Sequence, residues 1–470
     1  MEMNKVILYE LNEVPLRIFD YYRKMRPNSW IAANFDSLKK FESFTENGGH
    51  LSPWQTWPTV HRGVTNHKHL ISDFNQDLSE VDKEFPPIWQ LLAKSGVKVG
   101  VFGSLHSYPL PANLDNYDFY VPDVFATGSE CFPKNVELFQ EINLTLSRKS
   151  ARNVDSSVPL KEAWRLLSNL SNLGFKAGTL ADVGSHLVQE RMDRWKTVRR
   201  RTYQTVLAFD VFYKLLRTKK PDFVTFFTNH VASSMHRYWA AVFPDEYENL
   251  RFDQEWINTY DNEILFTMDK TDAMLRKLAG FVQKNPEYKL LITSSMGQNA
   301  VECEPMETQL YVKDHNKFLA AFDLQPGDFE VPVAMLLQFN YKVNDGKLEA
   351  FKTALEGMRI NGNRVIWRDL GFGKISIDMG QANLKEVDLV VNGKHIAFAE
   401  SGLENVEIED KSSATAYHIP EGHQFVYHPS FGKQGMAETG VSTIALAPTL
   451  LQNFSAPVPE YMTAPAASIL

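Results

Sequence analysis

The sequence predicts an α/β protein with a doubly wound, mostly parallel β-sheet, a helical insertion and a smaller α+β subdomain. Short apolar runs that end in polar residues, such as 6–9 before Glu10, are typical of buried strands in such a sheet. Amphipathic helices separate these runs, and the alternation of helix and buried strand is the pattern of doubly wound folds. Two regions, 150–218 and 306–410, interrupt this pattern and predict the additions.

The predicted sheet is built from separate stretches of the chain. After the first strand, we expect a helix over 88–93 and a strand over 97–102. Further along, apolar runs at 222–227 and 289–293 predict two strands, and the spacing at 260–281 predicts a long amphipathic helix between them. Polar residues after strands at one sheet edge are the usual position of a functional site in this class of fold.

The two interrupting regions have different compositions. Apolar positions at helical spacing through 160–170, 179–188 and 206–216 predict a helical insertion or cap over 150–218. A hairpin predicted at 387–399 indicates an inserted α+β subdomain over 306–410. The core is then expected in three parts, 1–149, 219–305 and 411–470.

The insertion contains a basic run that has two interpretations. We interpret it as a solvated helix face, and a grip on an anionic substrate is the alternative. The run consists of Arg191, Arg194, Lys196, Arg199, Arg200 and Arg201.

Composition narrows the class of protein. The 470 residues include 44% hydrophobic residues, which is enough for a large core. The net charge of -8 argues against wholesale binding to nucleic acid or to an anionic membrane. Cys131 and Cys303 are far apart, so neither a disulfide framework nor a thiolate zinc site is indicated. With no run of about 18 apolar residues, we expect a soluble, cytoplasmic protein without a membrane or nucleic-acid partner.

The segment 51–69 combines prolines, tryptophans, hydroxyl residues and histidines, with the sequence LSPWQTWPTVHRGVTNHKH. Pro58 suits the first turn of a helix, which would place Thr56 near the helix N-terminus. Backbone N–H groups and the helix dipole favour a phosphate or sulfate at that position. Thr56 is therefore a candidate nucleophile, and a plain helix cap is the alternative.

This segment resembles the nucleophile motif of the phosphodiesterase and nucleotide pyrophosphatase branch of the alkaline phosphatase superfamily. Segments 86–103 and 442–462 also resemble that branch, in the helix and strand after the nucleophile and in the closing helix. The resemblance implies an alkaline phosphatase-like core. The residues that carry the motif are Thr56, Trp57, Pro58, Thr59, His61, Arg62, Gly63 and Thr65.

Members of this branch hold two zinc ions with Asp and His side chains around the nucleophile. The resemblance implies that His236 and His418 are ligands here and that Glu10 replaces the Asp at the end of the first strand. A neutral side chain does not replace a carboxylate at a dication, so a full dizinc centre is not expected. The other family ligand positions are occupied by Ala232, Ser295 and Met296.

Three interpretations of the site remain open. One divalent metal ion, zinc by preference, is held by His236, His418 and a replacement from Glu10, His230 or Asn229. Alternatively, no metal is used, and a histidine acts as general base while Arg62 or the helix N-terminus stabilises the transferred group. In the third interpretation the site is chemically inactive and binds a ligand or partner.

The preferred hypothesis is a hydrolase or transferase that acts on a phosphate ester or phosphodiester, either a small molecule or linked to a glycan. Thr56 is the attacking group, and Thr59, Arg62 and His106 are the other candidate catalytic residues. A sulfatase is disfavoured because Thr cannot supply the formylglycine of that class. The competing hypothesis is a non-catalytic ligand-binding or scaffolding protein derived from the same fold.

Overall fold

The computed structural model describes residues 5–73, 76–149, 173–332, 338–462 and 469–470. Its strands are numbered in chain order as β1 (Lys5–Leu11), β2 (Lys39–Phe44), β3 (Val99–Phe102), β4 (Tyr117–Val121), β5 (Phe223–Thr228), β6 (Tyr288–Thr293), β7 (Gly297–Ala300), β8 (Thr308–Val312), β9 (Phe329–Glu330), β10 (Gln338–Val343), β11 (Arg359–Ile360), β12 (Asn363–Arg364), β13 (Ile366–Gly371), β14 (Lys374–Asp378), β15 (Leu389–Val391), β16 (Lys394–Ile396), β17 (Leu403–Glu407), β18 (Ala416–Ile419), β19 (Gln424–Tyr427) and β20 (Glu438–Ser442).

The α-helices of the described residues are α1 (Leu16–Met25), α2 (Trp30–Asn34), α3 (Pro53–Arg62), α4 (Asn66–His69), α5 (Ser79–Glu84), α6 (Ile88–Lys94), α7 (Glu137–Lys149), α8 (Ala177–Met192), α9 (Arg200–Lys219), α10 (His230–Val242), α11 (Gln254–Tyr260), α12 (Glu263–Lys284), α13 (His315–Ala320), α14 (Asp345–Gly357) and α15 (Leu446–Asn453). None of them has the length and apolar composition that crossing a bilayer requires.

The chain divides into two compact units, each with its own sheets. Among the described residues, the first unit comprises 5–144, 173–303 and 414–470, and the second comprises 145–149 and 304–413. In the second unit, one antiparallel sheet has the order β13-β14-β10-β9, another has the order β12-β11-β15-β16, and β17 pairs with β8. The hairpin predicted at 387–399 is confirmed, since β15 and β16 pair with Val391 opposite Lys394.

The main sheet of the first unit has the strand order β20-β2-β19-β6-β1-β5-β3-β4 among the described residues. The central strand β1 runs parallel to both neighbours, β5 and β6, and β3 runs parallel to β4 and β5. Only β19 runs antiparallel to its neighbours β2 and β6 among these paired strands. The predicted α/β class with a mostly parallel sheet is confirmed.

The sequence of β1 explains its central position. Its alternate residues Ile7 and Tyr9 belong to one buried apolar cluster, and Val6 and Leu8 belong to another. All four are fully buried. A strand that contributes to two cores needs apolar residues on both faces, which is why this run is continuous rather than alternating.

The other predicted elements that fall on described residues match the structure, with small differences at their ends. The strands expected at 97–102, 222–227 and 289–293 correspond to β3, β5 and β6, and the helices expected at 179–188 and 206–216 lie within α8 and α9. The long helix predicted at 260–281 corresponds to α12, which begins at Glu263 because the chain turns at Asp261 and Asn262 after the short helix α11. Short Asp and Asn side chains compete for backbone hydrogen bonds and favour such breaks. The helix predicted at 160–170 lies outside the described residues.

Candidate metal centre

Three parallel strands bring their carboxyl ends together at one edge of the main sheet. Leu11 of β1 lies opposite Thr228 of β5, and Glu10 of β1 lies opposite Thr293 of β6. The residues that follow the three strands therefore emerge side by side. They include Asn12 and Glu13 after β1, Asn229 after β5, and Ser294 and Ser295 after β6.

Glu13, His236 and His418 form a compact group at this edge. Their ligand atoms all lie within 4.8 Å of one another. Glu13 Oε2 is 2.9 Å from His236 Nε2 and 3.3 Å from His418 Nε2. The Glu13 side chain is 3% exposed, whereas His418 is 9% and His236 24% exposed, so solvent reaches the group from the histidine side.

Backbone carbonyls fix the orientation of both imidazoles. His236 donates its Nδ1–H to the carbonyl of Ala416, and His418 donates its Nδ1–H to the carbonyl of Leu51, each at 2.7 Å. Each ring must therefore present Nε2 to Glu13. Two neutral imidazoles in this orientation would point lone pairs at a carboxylate oxygen, which is repulsive. A cation, either a proton or a metal ion, has to lie among the three groups.

Two amide side chains hold the Glu13 carboxylate in place. Gln298 donates to Glu13 Oε2, and Asn12 donates to Glu13 Oε1 at 2.8 Å. Gln298 lies directly opposite His418 in the antiparallel pair of β7 and β18, so both side chains project from the same face of that ladder. Asn12 also accepts a hydrogen bond from Trp57 Nε1 at 2.7 Å, which connects the group to α3.

The ionised Glu13 carboxylate and the charged form of His418 stabilise each other. Burial raises the pKa of the Glu13 carboxyl, but the neighbouring His418 and His236 imidazoles outweigh burial and hold that pKa well below its ordinary value. Burial lowers the pKa of His418, yet the Glu13 carboxylate outweighs this effect and raises the pKa above its ordinary value. The site therefore favours an ionised carboxylate with positive charge beside it.

Thr56 lies in α3, close in sequence to the Leu51 carbonyl that orients His418. Its Oγ1 is 2.8 Å from Ser295 Oγ, the hydroxyl that follows β6, and either oxygen can be the donor. Thr56 is fully buried. This contact joins α3 to the same sheet edge from which Glu13 emerges.

The start of α3 differs from the prediction. The helix begins at Pro53 after the N-cap Ser52, so Pro58 lies inside the helix and Thr56 is not at its first position. Ser52 caps Trp54 N–H with its side chain, and its carbonyl accepts from Thr56 N–H at 2.9 Å. The backbone N–H of Thr56 is therefore engaged within the helix.

The carboxylate partner of the two histidines was assigned to the wrong residue from the sequence. Glu10 is fully buried and its Oε1 lies 2.7 Å from His61 Nε2, whereas Glu13 faces His236 and His418. Glu13 has a φ of 60°, the left-handed conformation that few residues other than glycine adopt. No sequence pattern predicts that conformation. The polar Asn12-Glu13 pair directly after a buried strand does, however, indicate a position at the functional edge of the sheet.

No family model matches the chain. No curated protein matches it either. The structure is similar to murine ectonucleotide pyrophosphatase/phosphodiesterase 5, with a TM-score of 0.41 and 11% identity, over 97% of this chain and 96% of that chain. It is also similar to phosphonoacetate hydrolase from Sinorhizobium meliloti in complex with phosphonoformate, with a TM-score of 0.40 and 12% identity over 97% and 96% of the two chains.

A further similar structure is the human form of ectonucleotide pyrophosphatase/phosphodiesterase 5, with a TM-score of 0.40 and 11% identity over 99% of this chain and 98% of that chain. An inactive form of the murine protein was solved in complex with AMP. Similarities at this level assign neither a family nor an activity to this chain.

The other residues proposed for catalysis have hydrogen-bond partners outside the group. Thr59 donates to Asn47 Oδ1 at 2.8 Å, and its hydroxyl lies 3.0 Å from His69 Nε2. Arg62 is buried and pairs with Asp82 at 2.7 Å. Burial lowers the pKa of Arg62, and Asp82 opposes this effect. Neither residue is placed beside Glu13 by these contacts.

His106 has a partner that follows from the interior proline of α3. Pro58 lacks the N–H that would pair with the carbonyl of Trp54 in a regular helix. His106 donates its Nε2–H to that carbonyl at 2.9 Å. Burial lowers the pKa of His106 to about 3, so the ring is neutral and serves here as a structural donor.

His230, expected as a replacement ligand, also lies apart from the group. Its Nε2 is 3.0 Å from the hydroxyl of Thr271 on α12, and the ring is buried. Burial lowers its pKa to about 3. The structure brings together His236 and His418 from the predicted ligands, with Glu13 in the place expected for Glu10, His230 or Asn229.

Proposed function

We propose that this protein is a hydrolase or transferase for phosphate esters or phosphodiesters that uses one divalent metal ion, zinc by preference. The ion would be held by Glu13, His236 and His418. One observation carries the proposal: two imidazoles whose Nδ1–H groups are engaged by backbone carbonyls both direct Nε2 at one carboxylate oxygen.

The donor set fits such an ion. Two imidazole nitrogens and one carboxylate are a common set for catalytic zinc, and three protein ligands leave a position open for water or substrate. In tetrahedral coordination with bonds of about 2.0–2.1 Å, neighbouring ligand atoms are about 3.3 Å apart. The distances of 2.9 Å and 3.3 Å from Glu13 to the two imidazoles are close to that spacing.

The remaining positions support a single ion. Ala232, Ser295 and Met296 offer no carboxylate or imidazole where the resembled family has its other ligands. When bound, a divalent ion polarises a phosphoryl oxygen and lowers the pKa of a water or hydroxyl that contacts it. Backbone carbonyls behind both imidazoles are the support that metal-ligating histidines usually have.

In this proposal Thr56 is the attacking hydroxyl. Its Oγ1 would form the bond to phosphorus as the bond from phosphorus to the leaving oxygen breaks, while the hydroxyl proton is lost to solvent and the leaving oxygen takes up a proton from solvent. Water, or an alcohol in a transferase, would then cleave the new Thr56–phosphorus ester, release the phosphoryl group and return the proton to Oγ1. The hydrogen bond with Ser295 orients the Thr56 lone pairs. Thr59, Arg62 and His106 support α3 and its surroundings rather than contacting the transferred group.

A second candidate is a binding protein without turnover. The observation in its favour is that the Thr56 hydroxyl is fully buried and already engaged by Ser295. In this candidate the protein binds the metal ion but does not catalyse hydrolysis or transfer. It predicts stoichiometric zinc together with an absence of hydrolysis.

The substrate class is part of the proposal. A net charge of -8 supports a small phosphate ester, free or linked to a glycan, over a nucleic acid. A cytoplasmic location likewise stays a prediction. AMP-like monoesters, aryl phosphodiesters and phosphonates are suitable first substrates.

The test combines metal analysis with a substrate panel. We expect one zinc per chain in protein prepared without chelator, and hydrolysis that chelation abolishes and zinc restores. Thr56→Ala should retain zinc and lose at least about a hundredfold in kcat, whereas His395→Gln, an exposed histidine of the second unit, should change neither. Unchanged turnover in Thr56→Ala contradicts the nucleophile, and zinc-free protein with full activity contradicts the metal.

A further inference from the structure

Asn229 lies beside the proposed metal centre, directly after β5 and directly before α10. The Asn12 side chain, which follows β1, connects it to that centre. Asn12 Nδ2 donates to Glu13 Oε1 at 2.8 Å and to Asn229 Oδ1 at 2.7 Å. Because both oxygens accept from one nitrogen, Asn229 Oδ1 is no farther from Glu13 Oε1 than the two bonds laid end to end.

The hydrogen bonds of Asn12 fix the direction of the Asn229 amide. Trp57 donates its indole N–H to Asn12 Oδ1 at 2.7 Å, and an indole can only donate, so the other end of the Asn12 amide is its NH2 group. That NH2 group needs acceptors, and a Glu13 carboxylate oxygen and the Asn229 amide oxygen provide them. Asn229 therefore directs its own NH2 group away from Asn12.

The Asn229 NH2 group is not used inside the described part of the fold. Asn229 is the N-cap residue of α10, a position where asparagine usually accepts from a backbone N–H of the first turn, but its side chain makes no such bond. Its oxygen binds Asn12 instead, and the residue is exposed. Water satisfies any exposed amide, so exposure alone indicates no ligand. A donor held in a fixed direction beside a carboxylate–imidazole group does indicate one.

The orientation of Asn229 changes its expected part in the site. The sequence suggested Asn229 as a replacement metal ligand, for which its oxygen would be needed. That oxygen is engaged by Asn12 at 2.7 Å. The side chain therefore offers the site N–H donors, which suit an anion, rather than an oxygen that suits a cation.

The basic run of the insertion has partners of its own. Arg199 pairs with Glu263 and is 14% exposed, so its interpretation as part of a solvated face is wrong, and Arg200 pairs with Glu190 at 2.8 Å. These two charges are matched by carboxylates within the fold. A grip on an anionic substrate by Arg199 or Arg200 would have to break those pairs, whereas an amide donor at Asn229 is already in place.

Phosphoryl transfer requires donors of this kind. The non-bridging oxygens of the phosphoryl group carry negative charge in the transition state, and donors oriented before the substrate arrives stabilise that charge without reorganising. In the proposed function one of these oxygens contacts the metal ion, which leaves the others for donors of the protein.

We propose that Asn229 Nδ2 donates a hydrogen bond to a non-bridging oxygen of the phosphoryl group. Asn12 is then a positioning residue, because it holds the Asn229 amide and the Glu13 carboxylate with one NH2 group. The inference rests on the proposed function, since it takes the phosphoryl group to bind beside Glu13, His236 and His418. It adds a substrate-contacting residue from β5 to a site otherwise supplied by α3 and the metal ligands.

Two variants distinguish this role from mere support of Asn12. Asn229→Ala removes both the oxygen and the donors, whereas Asn229→Asp keeps an oxygen for Asn12 but has no N–H and adds negative charge. Calorimetric titration of the zinc-loaded protein with inorganic phosphate measures the effect. We expect the affinity to fall about tenfold in Asn229→Ala and further in Asn229→Asp. Phosphate binding in Asn229→Asp that equals binding in the unmodified chain overturns the inference.

Turnover and zinc content provide two further measurements. With an aryl phosphodiester as substrate, kcat should fall about a hundredfold in Asn229→Ala with a smaller change in KM, as expected for a donor that acts mainly in the transition state. Both Asn229 variants should retain one zinc per chain. Loss of zinc in Asn229→Ala overturns the inference, because the residue would then support the metal ligands.

Asn262→Ala is the matched control. Asn262 is also an exposed asparagine at the N-cap of a helix, α12, and its side chain likewise makes no capping bond. We expect Asn262→Ala to leave zinc content, phosphate affinity and turnover unchanged. An equal loss of phosphate affinity in Asn262→Ala and Asn229→Ala overturns the inference, since the effect would then come from the helix start.

The same measurements separate this inference from the proposed function. If the unmodified protein binds phosphate and Asn229→Ala matches it in affinity and in turnover, then the inference fails and the proposed function stands. If the unmodified protein takes up no zinc, or takes up zinc and shows neither turnover nor phosphate binding, then both fail.

Discussion

Two carboxylates that contact imidazoles, Glu10 and Glu13, lie three residues apart at the end of β1. They differ in how deeply they are buried and in how many imidazoles they contact. Glu10 pairs with His61 in the core, where both side chains are at most 2% exposed. The His61 ring stacks on Trp57, with centroids 5.4 Å apart. Glu13 instead meets His236 and His418 at a surface that solvent reaches.

The two sites differ in the number of imidazoles that contact the carboxylate and in the backbone carbonyls that orient those imidazoles. A carboxylate matched by one imidazole can share a single proton and serve as an internal pair. A carboxylate that faces two imidazoles, each with Nδ1–H already bound to a backbone carbonyl, has one nitrogen lone pair too many. That surplus favours a cation at Glu13 and leaves Glu10 a structural residue.

The largest expected effect is on zinc affinity, when the charge of each carboxylate is removed in turn. Glu13→Gln should lower zinc affinity by about a thousandfold, because an amide oxygen carries no charge to offset the dication. Competitive titration with a zinc chromophore measures the affinity. Glu10→Gln is the matched control and should leave zinc affinity unchanged, and an equal loss in both variants would refute the division of roles.

The next effect concerns stability rather than metal. His61→Ala leaves Glu10 buried without its partner, and breaking such a pair typically costs about 3–5 kcal/mol. Urea unfolding of metal-free protein should show a loss of that size. His236→Ala should cost less, since Glu13 keeps His418 and solvent is near, and a larger loss in His236→Ala than in His61→Ala would reverse the comparison.

A smaller effect tests the amide that supports Glu13. Gln298→Leu removes the donor to Glu13 Oε2, and loss of such a supporting hydrogen bond usually lowers metal affinity about ten- to hundredfold. Gln309→Leu offers a control at a buried glutamine of the second unit. Zinc titration of both variants should separate them, and equal affinities would show that Gln298 does not support the ion.

The sequence predicted the fold better than the site, for physical reasons. The buried runs of β1, β5 and β6 are visible because a strand covered on both faces must be apolar throughout. His236 and His418 are 182 positions apart, and only their resemblance to family ligands connected them. Glu13, which contacts both histidines, lies at a positive φ that no sequence pattern predicts. The sequence prediction places the start of α3 too late, because Pro58 also fits the first turn of a helix, whereas Ser52-Pro53 is the N-terminal signal that the structure uses.

The smallest expected effect is on the pH dependence of stability, and it concerns a histidine that bonds to a backbone carbonyl rather than to a carboxylate. His423 is fully buried and donates its Nδ1–H to the carbonyl of Val14, the residue after Glu13. Burial lowers its pKa to about 4, below the ordinary value of 6.5. As the pH falls through 6.5, His423 therefore takes up a proton in the unfolded chain but not in the folded chain. The folding stability that is present above pH 6.5 is progressively lost toward pH 4.

For this single group, the expected loss between pH 7 and pH 5.5 is about 1 kcal/mol. His423→Asn keeps an N–H for the Val14 carbonyl but does not titrate, so its stability should fall by about 1 kcal/mol less over that interval than the stability of the unmodified chain. Denaturant unfolding at the two pH values measures the difference. If both proteins lose the same stability, then His423 is protonated in the fold, and burial without a carboxylate does not suffice to keep an imidazole neutral at this edge of the sheet.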